Sequence, residues 1–198
     1  MKRILVITLI LGFLSISSVF ADREIAVGPA FGFGKDTFSD RNYSYTYTGV
    51  YMDSYIGTKN IGLVSQGVVW GSPVSAAYDS APVNLANYNY MKIAQAFMLG
   101  LGYRTNIVEK IRIQASFGLG IHQVMLLSEN TYLPELVTLM TLGPSVGLGA
   151  YYQLNDYFHV GLTCNADYAF NQAMSLSSEF KYNNGFTGNI GFVFGLKY

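Results

Sequence analysis

The chain has 198 residues, with 12 basic and 12 acidic side chains, two histidines and a single cysteine, Cys164. This balance offers no basic stripe for nucleic acid, and one cysteine excludes an internal disulfide framework. Hydrophobic residues make up 51% of the chain and charged residues only 12%, about half the usual globular share of charge.

Residues 1–21, MKRILVITLILGFLSISSVFA, open with Lys2 and Arg3. They continue through an apolar run from Ile4 to Ile16 and close on Val19-Phe20-Ala21. That is the pattern of a secretory signal peptide, and the apolar run is shorter than the roughly 20 residues a spanning helix needs. Cleavage after Ala21 is expected to leave one domain over 22–198, with 10 basic and 12 acidic residues. Beyond residue 21 no apolar run reaches 18 residues, so membrane-spanning helices are excluded.

The rest of the chain alternates with period two, the signature of strands with one apolar and one polar face. Residues 24–34, EIAVGPAFGFG, form the first such stretch. In 43–55, YSYTYTGVYMDSY, Tyr43, Tyr45, Tyr47, Tyr51, Asp53 and Tyr55 share one face, with Val50 and Met52 on the other. Strands over about 46–57 and 61–72 are less sharply patterned. Strands over 91–104, 111–122 and 158–170 alternate cleanly, and 139–153 does so around Pro144. A proline in mid-strand removes a ladder donor, which predicts a bulge there. The last strand, 185–198, places Ile190, Phe192, Phe194, Leu196 and Tyr198 on one face.

Short turns at 58–60, 106–110 and 155–156 alternate with longer stretches at 35–45, 73–90, 123–138 and 171–184. Two hairpins, GLGYRTNIVEKIRI and GLGAYYQLNDYFHV, repeat one supersecondary unit. Eight antiparallel strands with this asymmetry predict an all-β, closed, up-and-down barrel, which leaves no open edge. The strands are long enough to cross a bilayer when tilted. Turned inward, the bulky apolar face would overfill eight strands, so it is expected to face lipid. Tyr103, Tyr151, Tyr152, Tyr157, Phe158, Tyr168, Phe170 and Tyr198 lie near strand ends, as an interfacial girdle would.

On these features the chain resembles the small eight-stranded outer-membrane barrels, the class of OmpX, the OmpA membrane domain and OmpW. Its style also resembles treponemal small outer-membrane barrels of unknown role. The resemblance is architectural and covers 22–198. It implies residence in the outer membrane with both termini in the periplasm, contact with outer-membrane lipid, and a monomer. It also implies that Ile190, Phe192, Phe194, Leu196 and Tyr198 form the terminal signal read by the barrel-assembly machinery.

The inward face is expected to carry Lys92, Arg104, Arg112, His122, His159, Asp167 and Lys197 as a polar network. It also carries many glycines, among them Gly28, Gly32, Gly100, Gly118, Gly149, Gly161 and Gly191. Either Tyr43, Tyr45, Tyr47, Tyr51 and Tyr55 fill the space these leave and plug the lumen, or a narrow channel for small apolar solutes runs through it. The pattern of residues is compatible with both.

Lipid-modifying enzymes share this architecture, but they need a nucleophile beside a base. Here the chain reads His122-Gln-Val and His159-Val-Gly, so catalysis is not expected. Two histidines and Asp167 are too dispersed for zinc. Gly32-Phe-Gly34-Lys35-Asp36 lacks the first glycine of a phosphate loop, with Pro29 in its place, and has Asp where Ser or Thr belongs. No cofactor is expected, and Cys164 reads as a small residue facing lipid. The long Tyr-, Ser- and Asn-rich loops are the candidate surface for an extracellular ligand.

Overall fold

In the computed structural model of the chain, residues 22–38, 41–79, 81–82, 90–127, 136–175 and 182–198 are described. The expected signal peptide, 1–21, lies outside them. The described residues are almost entirely strand: β1 (Asp22–Phe38), β2 (Arg41–Gly57), β3 (Ile61–Tyr78), the two-residue β4 (Ala81–Pro82), β5 (Tyr90–Val108), β6 (Ile111–Leu127), β7 (Leu136–Gln153), β8 (Phe158–Ser175) and β9 (Tyr182–Lys197). No helix long and apolar enough to cross a membrane occurs among the described residues.

Every long strand pairs antiparallel with two neighbours. The order runs β2-β1-β9-β8-β7-β6-β5-β3, and β2 pairs with β3 to close the barrel. The first and last strands meet in the seam, with Glu24 opposite Lys197 and Phe31 opposite Ile190. Closure explains how strands of 16 to 19 residues coexist without an aggregation-prone edge.

The termini and the tight connections after β2, β5 and β7 lie at one end, called here the turn end. The connections after β1, β3, β6 and β8 lie at the other, the loop end. At the turn after β7, Asn155 Oδ1 accepts the backbone N–H groups of Tyr157 and Phe158, each at 2.9 Å. This local bond lets an Asx residue stand in for backbone pairing. After β2, Thr58 Oγ1 accepts the N–H of Ile61 at 3.1 Å.

Alternation is expressed as inside and outside. Along β1, Glu24, Ala26, Ala30 and Asp36 are buried while Ile25, Val27, Phe31 and Phe33 are exposed. The same division holds along β9, where Ile190, Phe192, Phe194 and Leu196 are exposed and Val193 is buried. The exterior is therefore an apolar band, suited to hydrocarbon rather than water.

Three expectations are corrected. The described residues of the stretches 35–45, 73–90, 123–138 and 171–184 are nearly all strand, because backbone ladders continue past the apolar band whatever the side-chain polarity. Cross-strand bonds such as Thr46 Oγ1 to Ser75 Oγ, 2.7 Å, belong to these extensions.

The bulge expected at Pro144 is absent. Leu119 opposes Pro144, and the register against β8 is the same at Leu142–Phe170 as at Ser145–Asp167. The irregularity lies at Met140–Leu142 instead. Proline forfeits one donor without shifting the register, and Pro29 does likewise between Val27–Phe194 and Ala30–Gly191. Each proline follows a glycine whose absent Cβ would strike a neighbouring backbone carbonyl: Phe192 O at Gly28 and Tyr168 O at Gly143. Only glycine allows strands so close an approach.

The third correction concerns Tyr151. It does not belong to the girdle, because its side chain is buried inside the barrel, whereas Tyr103, Tyr152, Tyr157, Tyr168 and Tyr198 are exposed.

Candidate functional site: the filled lumen

The inward faces of eight strands converge on a lumen whose contents fall into two groups. At the turn end, β1, β5 and β6 bring Glu24, Arg104 and Arg112 together. Glu24 Oε2 lies 2.9 Å from Arg104 Nη1. Arg112 grips the same carboxylate with both terminal nitrogens, Nη1 donating to Oε1 at 2.6 Å and Nη2 to Oε2. Bidentate Arg–carboxylate pairs are among the strongest charge-assisted bonds. Arg104 also donates from Nε to Gln114 Oε1, and its guanidinium stacks 3.5 Å above the Tyr55 ring. His159 Nδ1 stands 4.0 Å from Glu24 Oε2, its ring edge-on to Tyr151 at 5.4 Å. Tyr151 in turn donates its hydroxyl to Asp53 Oδ2.

The middle of the lumen is polar with fewer formal charges. Ser116 Oγ donates to Gln66 Oε1 at 2.5 Å. Asn165 Nδ2 and Thr187 Oγ1 donate to Asp167 Oδ2 at 3.3 and 3.5 Å, and Asn189 Nδ2 donates to the Tyr47 hydroxyl at 3.5 Å. His122 Nδ1 lies 4.0 Å from Asp36 Oδ1, beyond hydrogen-bond reach.

Between and around these groups, tyrosines occupy the room that glycines leave. Tyr47, Tyr51 and Tyr55 on β2 are 0, 0 and 1% exposed, Tyr45 is buried, and Tyr43 packs partly buried against them. A Cβ at Gly32 would strike the Tyr47 ring, one at Gly34 the Tyr45 ring, and one at Gly191 would stand 2.6 Å from the Tyr51 ring. From the far wall, Tyr151 covers Gly149 and Gly161 in the same way. At the turn end the cavity among Glu24, Arg112, Tyr151, His159 and Lys197 measures about 10 Å³, room for about one water.

Of the residues expected on the inward face, Arg104, His122, His159 and Asp167 are buried in the lumen. Arg112 is partly buried at its turn-end mouth. Lys197 sits on the rim, 3.5 Å from Asp22, with 39% of its side chain exposed. The side chain of Lys92 lies outside the described residues. The network is not one continuous set: Arg104, Arg112 and His159 share a carboxylate, whereas His122 and Asp167 belong to the middle group.

Glu24, Gln66 and Gln114 join the network with no role expected from the sequence, Asp53 enters it from the tyrosine face of β2, and Tyr151 enters it instead of the girdle. Parity carried the signal, since Glu24 is in phase with Ala26 and Gly28, and Tyr151 with Gly147 and Gly149. On the outer wall, a groove of about 480 Å³ is lined by Tyr103, Ala115, Leu148, Leu162, Cys164 and Ile190.

No protein-family model matches the chain, and no curated protein matches its sequence. Solved structures do match its shape. The outer membrane protein OprG from Pseudomonas aeruginosa superposes with a TM-score of 0.55 at 12% identity, covering 90% of this chain and 96% of its own. Neisserial surface protein A gives 0.56 at 8% identity, with 88% and 97% covered. Ail, the attachment invasion locus protein of Yersinia pestis, gives 0.53 at 11% identity, with 91% and 100% covered. Identities this low speak for the fold alone. With the closed sheet and the apolar exterior, they show that the chain has the fold of the small eight-stranded outer-membrane β-barrels.

Proposed function

We propose that this protein is an integral outer-membrane barrel with a closed lumen, acting at the cell surface through its loop end and without catalysis. The observation that carries this reading is occlusion. Four wholly buried tyrosines, Tyr47, Tyr51, Tyr55 and Tyr151, stand against inward glycines, and the turn-end mouth leaves about 10 Å³. A lumen so filled is a scaffold that holds its strands rigid, which leaves the loops as the part able to meet a partner. Termini in the periplasm and loops outside the cell follow from this reading. So does recognition of the β9 face, Ile190 to Tyr198, by the assembly machinery. The ring nitrogens of His122 have no hydrogen-bond partner, so no hydroxyl is activated there as a nucleophile would need to be.

Planar-bilayer recording of the refolded protein tests the closed lumen. The expected result is a silent bilayer; discrete, reproducible openings would overturn it in favour of the narrow channel. An epitope inserted between β6 and β7 should be reached by antibody on intact cells. Access only after permeabilisation would reverse the assigned orientation.

A further inference from the structure

The outer face of β1 measures depth. Its outward residues run Arg23, Ile25, Val27, Pro29, Phe31, Phe33 and Lys35, an apolar series bracketed by two cations. At about 3.3 Å per residue, Arg23 to Lys35 covers roughly 40 Å of strand. With the strand tilted about 40°, that is roughly 30 Å of depth, the thickness of the hydrocarbon core of a bilayer. Arg23 thus stands at headgroup level at the turn end, and Lys35 at headgroup level at the loop end.

Lys35 is set among rings. Phe186 on β9 is opposite Lys35, and Tyr168 on β8 is opposite Phe186, so the three share one row across the seam. One row nearer the apolar band, Phe33 packs on Phe186 with ring centroids 5.9 Å apart. It lies over Gly188, where a Cβ would stand 2.9 Å from Phe33 Cζ. Phe170 meets Tyr168 edge-on at 5.3 Å. All four rings are exposed, as in the aromatic belt at a membrane–water interface. Among the residues whose side chains are described, Lys35 is the only charge on the outer wall at the loop end. It is exposed, and no described carboxylate lies within ion-pair reach of it.

A lysine so placed lays its methylenes along apolar surface and lifts its ammonium into the headgroup layer. What meets it there must be anionic. It must also continue into acyl chains, since Phe31 and Ile190, opposite one another, carry the same surface into the apolar band. A lipid with a phosphate headgroup satisfies both demands.

We propose that Lys35, Phe33, Phe186 and Tyr168 form an outer-wall site for the phosphate headgroup of an anionic membrane lipid. Lys35 pairs with the phosphate, and the rings seat the upper parts of the chains. The site is independent of whether the barrel conducts, and the orientation given above decides only which leaflet supplies the lipid.

The test is native mass spectrometry of the full barrel, refolded in neutral detergent and titrated with phosphatidylglycerol or phosphatidylcholine of the same chains. The choline group neutralises the phosphate beside it, so wild type is expected to retain phosphatidylglycerol in preference. Lys35→Gln should bind phosphatidylglycerol about fivefold more weakly, the change that about 1 kcal/mol per basic residue near a lipid surface produces. Lys35→Arg keeps the charge and should bind as wild type does, as should Lys110→Gln, altered at the turn after β5. Phe186→Ala should weaken both lipids alike. Equal binding of phosphatidylglycerol by wild type and Lys35→Gln would overturn the proposal. Displacement of the lipid by millimolar inorganic phosphate would also overturn it, by making the site one for free anions.

Discussion

The turn end and the middle of the lumen solve the same problem in different ways. Both bury carboxylates inside a narrow barrel, where an unpaired charge is costly. At the turn end, the solution comes from the chain's own side chains. Glu24 takes two guanidiniums, Arg104 leans on Tyr55 and Gln114, and Asp53 takes the Tyr151 hydroxyl. In the middle, Asp167 Oδ2 takes an amide and a hydroxyl at 3.3 and 3.5 Å and no guanidinium. The difference shows where this fold stores rigidity. The turn end is cross-braced by ion pairs from Glu24 on β1 to Arg104 on β5 and Arg112 on β6, while the middle relies on tyrosine volume and on hydrogen bonds between polar side chains.

The strongest way to break this contrast is to remove its hub. Glu24→Ala leaves buried Arg104 beside partly buried Arg112 without an anion, and loss of one partner of a buried ion pair costs about 3–5 kcal/mol. Urea titration of the refolded barrel in lipid vesicles should show this as a large drop in midpoint, with Asp167→Ala clearly milder. Equal losses would mean that the turn end is not specially braced. Next in size is Tyr151→Phe, which removes the hydroxyl from buried Asp53 and leaves a carboxylate oxygen short of a donor. An unsatisfied buried acceptor costs about 1–3 kcal/mol. Thr187→Val removes the comparable hydroxyl from Asp167 in the middle, and its longer bond predicts about 0.5–1.5 kcal/mol. Both can be read from the same titration, and the braced-end picture requires Tyr151→Phe to be the larger.

Much of this arrangement is written in the parity of the chain, and the part that is not has physical reasons. All eight strands, and the inward placing of Arg104, His122, His159 and Asp167, follow from which residues share phase with glycine. For Tyr151, phase with Gly147 and Gly149 outweighs the tendency of aromatics to gather at strand ends, because both ends of a strand alternate. Pro144 costs the ladder a donor but not its register, so the bulge that its sequence position predicts does not form. The ladder instead tolerates one missing bond while the flanking pairs hold alignment. Glu24 has the right phase, but nothing in the sequence says that residues 104 and 112 lie across from it. Which inward side chains touch depends on strand stagger around the closed sheet, a property of the whole barrel rather than of any segment.

The smallest expected effect separates burial from charge as the source of the turn end's strength. Lys197 and Asp22 form an ion pair at that same end, 3.5 Å apart, but 39% and 43% of their side chains are exposed. Water and salt screen such a pair, whose worth is about 0–1 kcal/mol. Lys197→Ala should therefore move the urea midpoint little at low salt and not measurably at 1 M NaCl, where the Debye length falls to roughly 3 Å. Glu24→Ala should keep most of its penalty at the same salt, because Arg104 lies inside the lumen beyond easy reach of counter-ions. If salt erases both losses alike, solvent permeates the turn end and the Glu24 cluster is a wetted surface network. If it erases only the rim pair, the bracing comes from burial, and ion pairs at the same end of the barrel differ through depth.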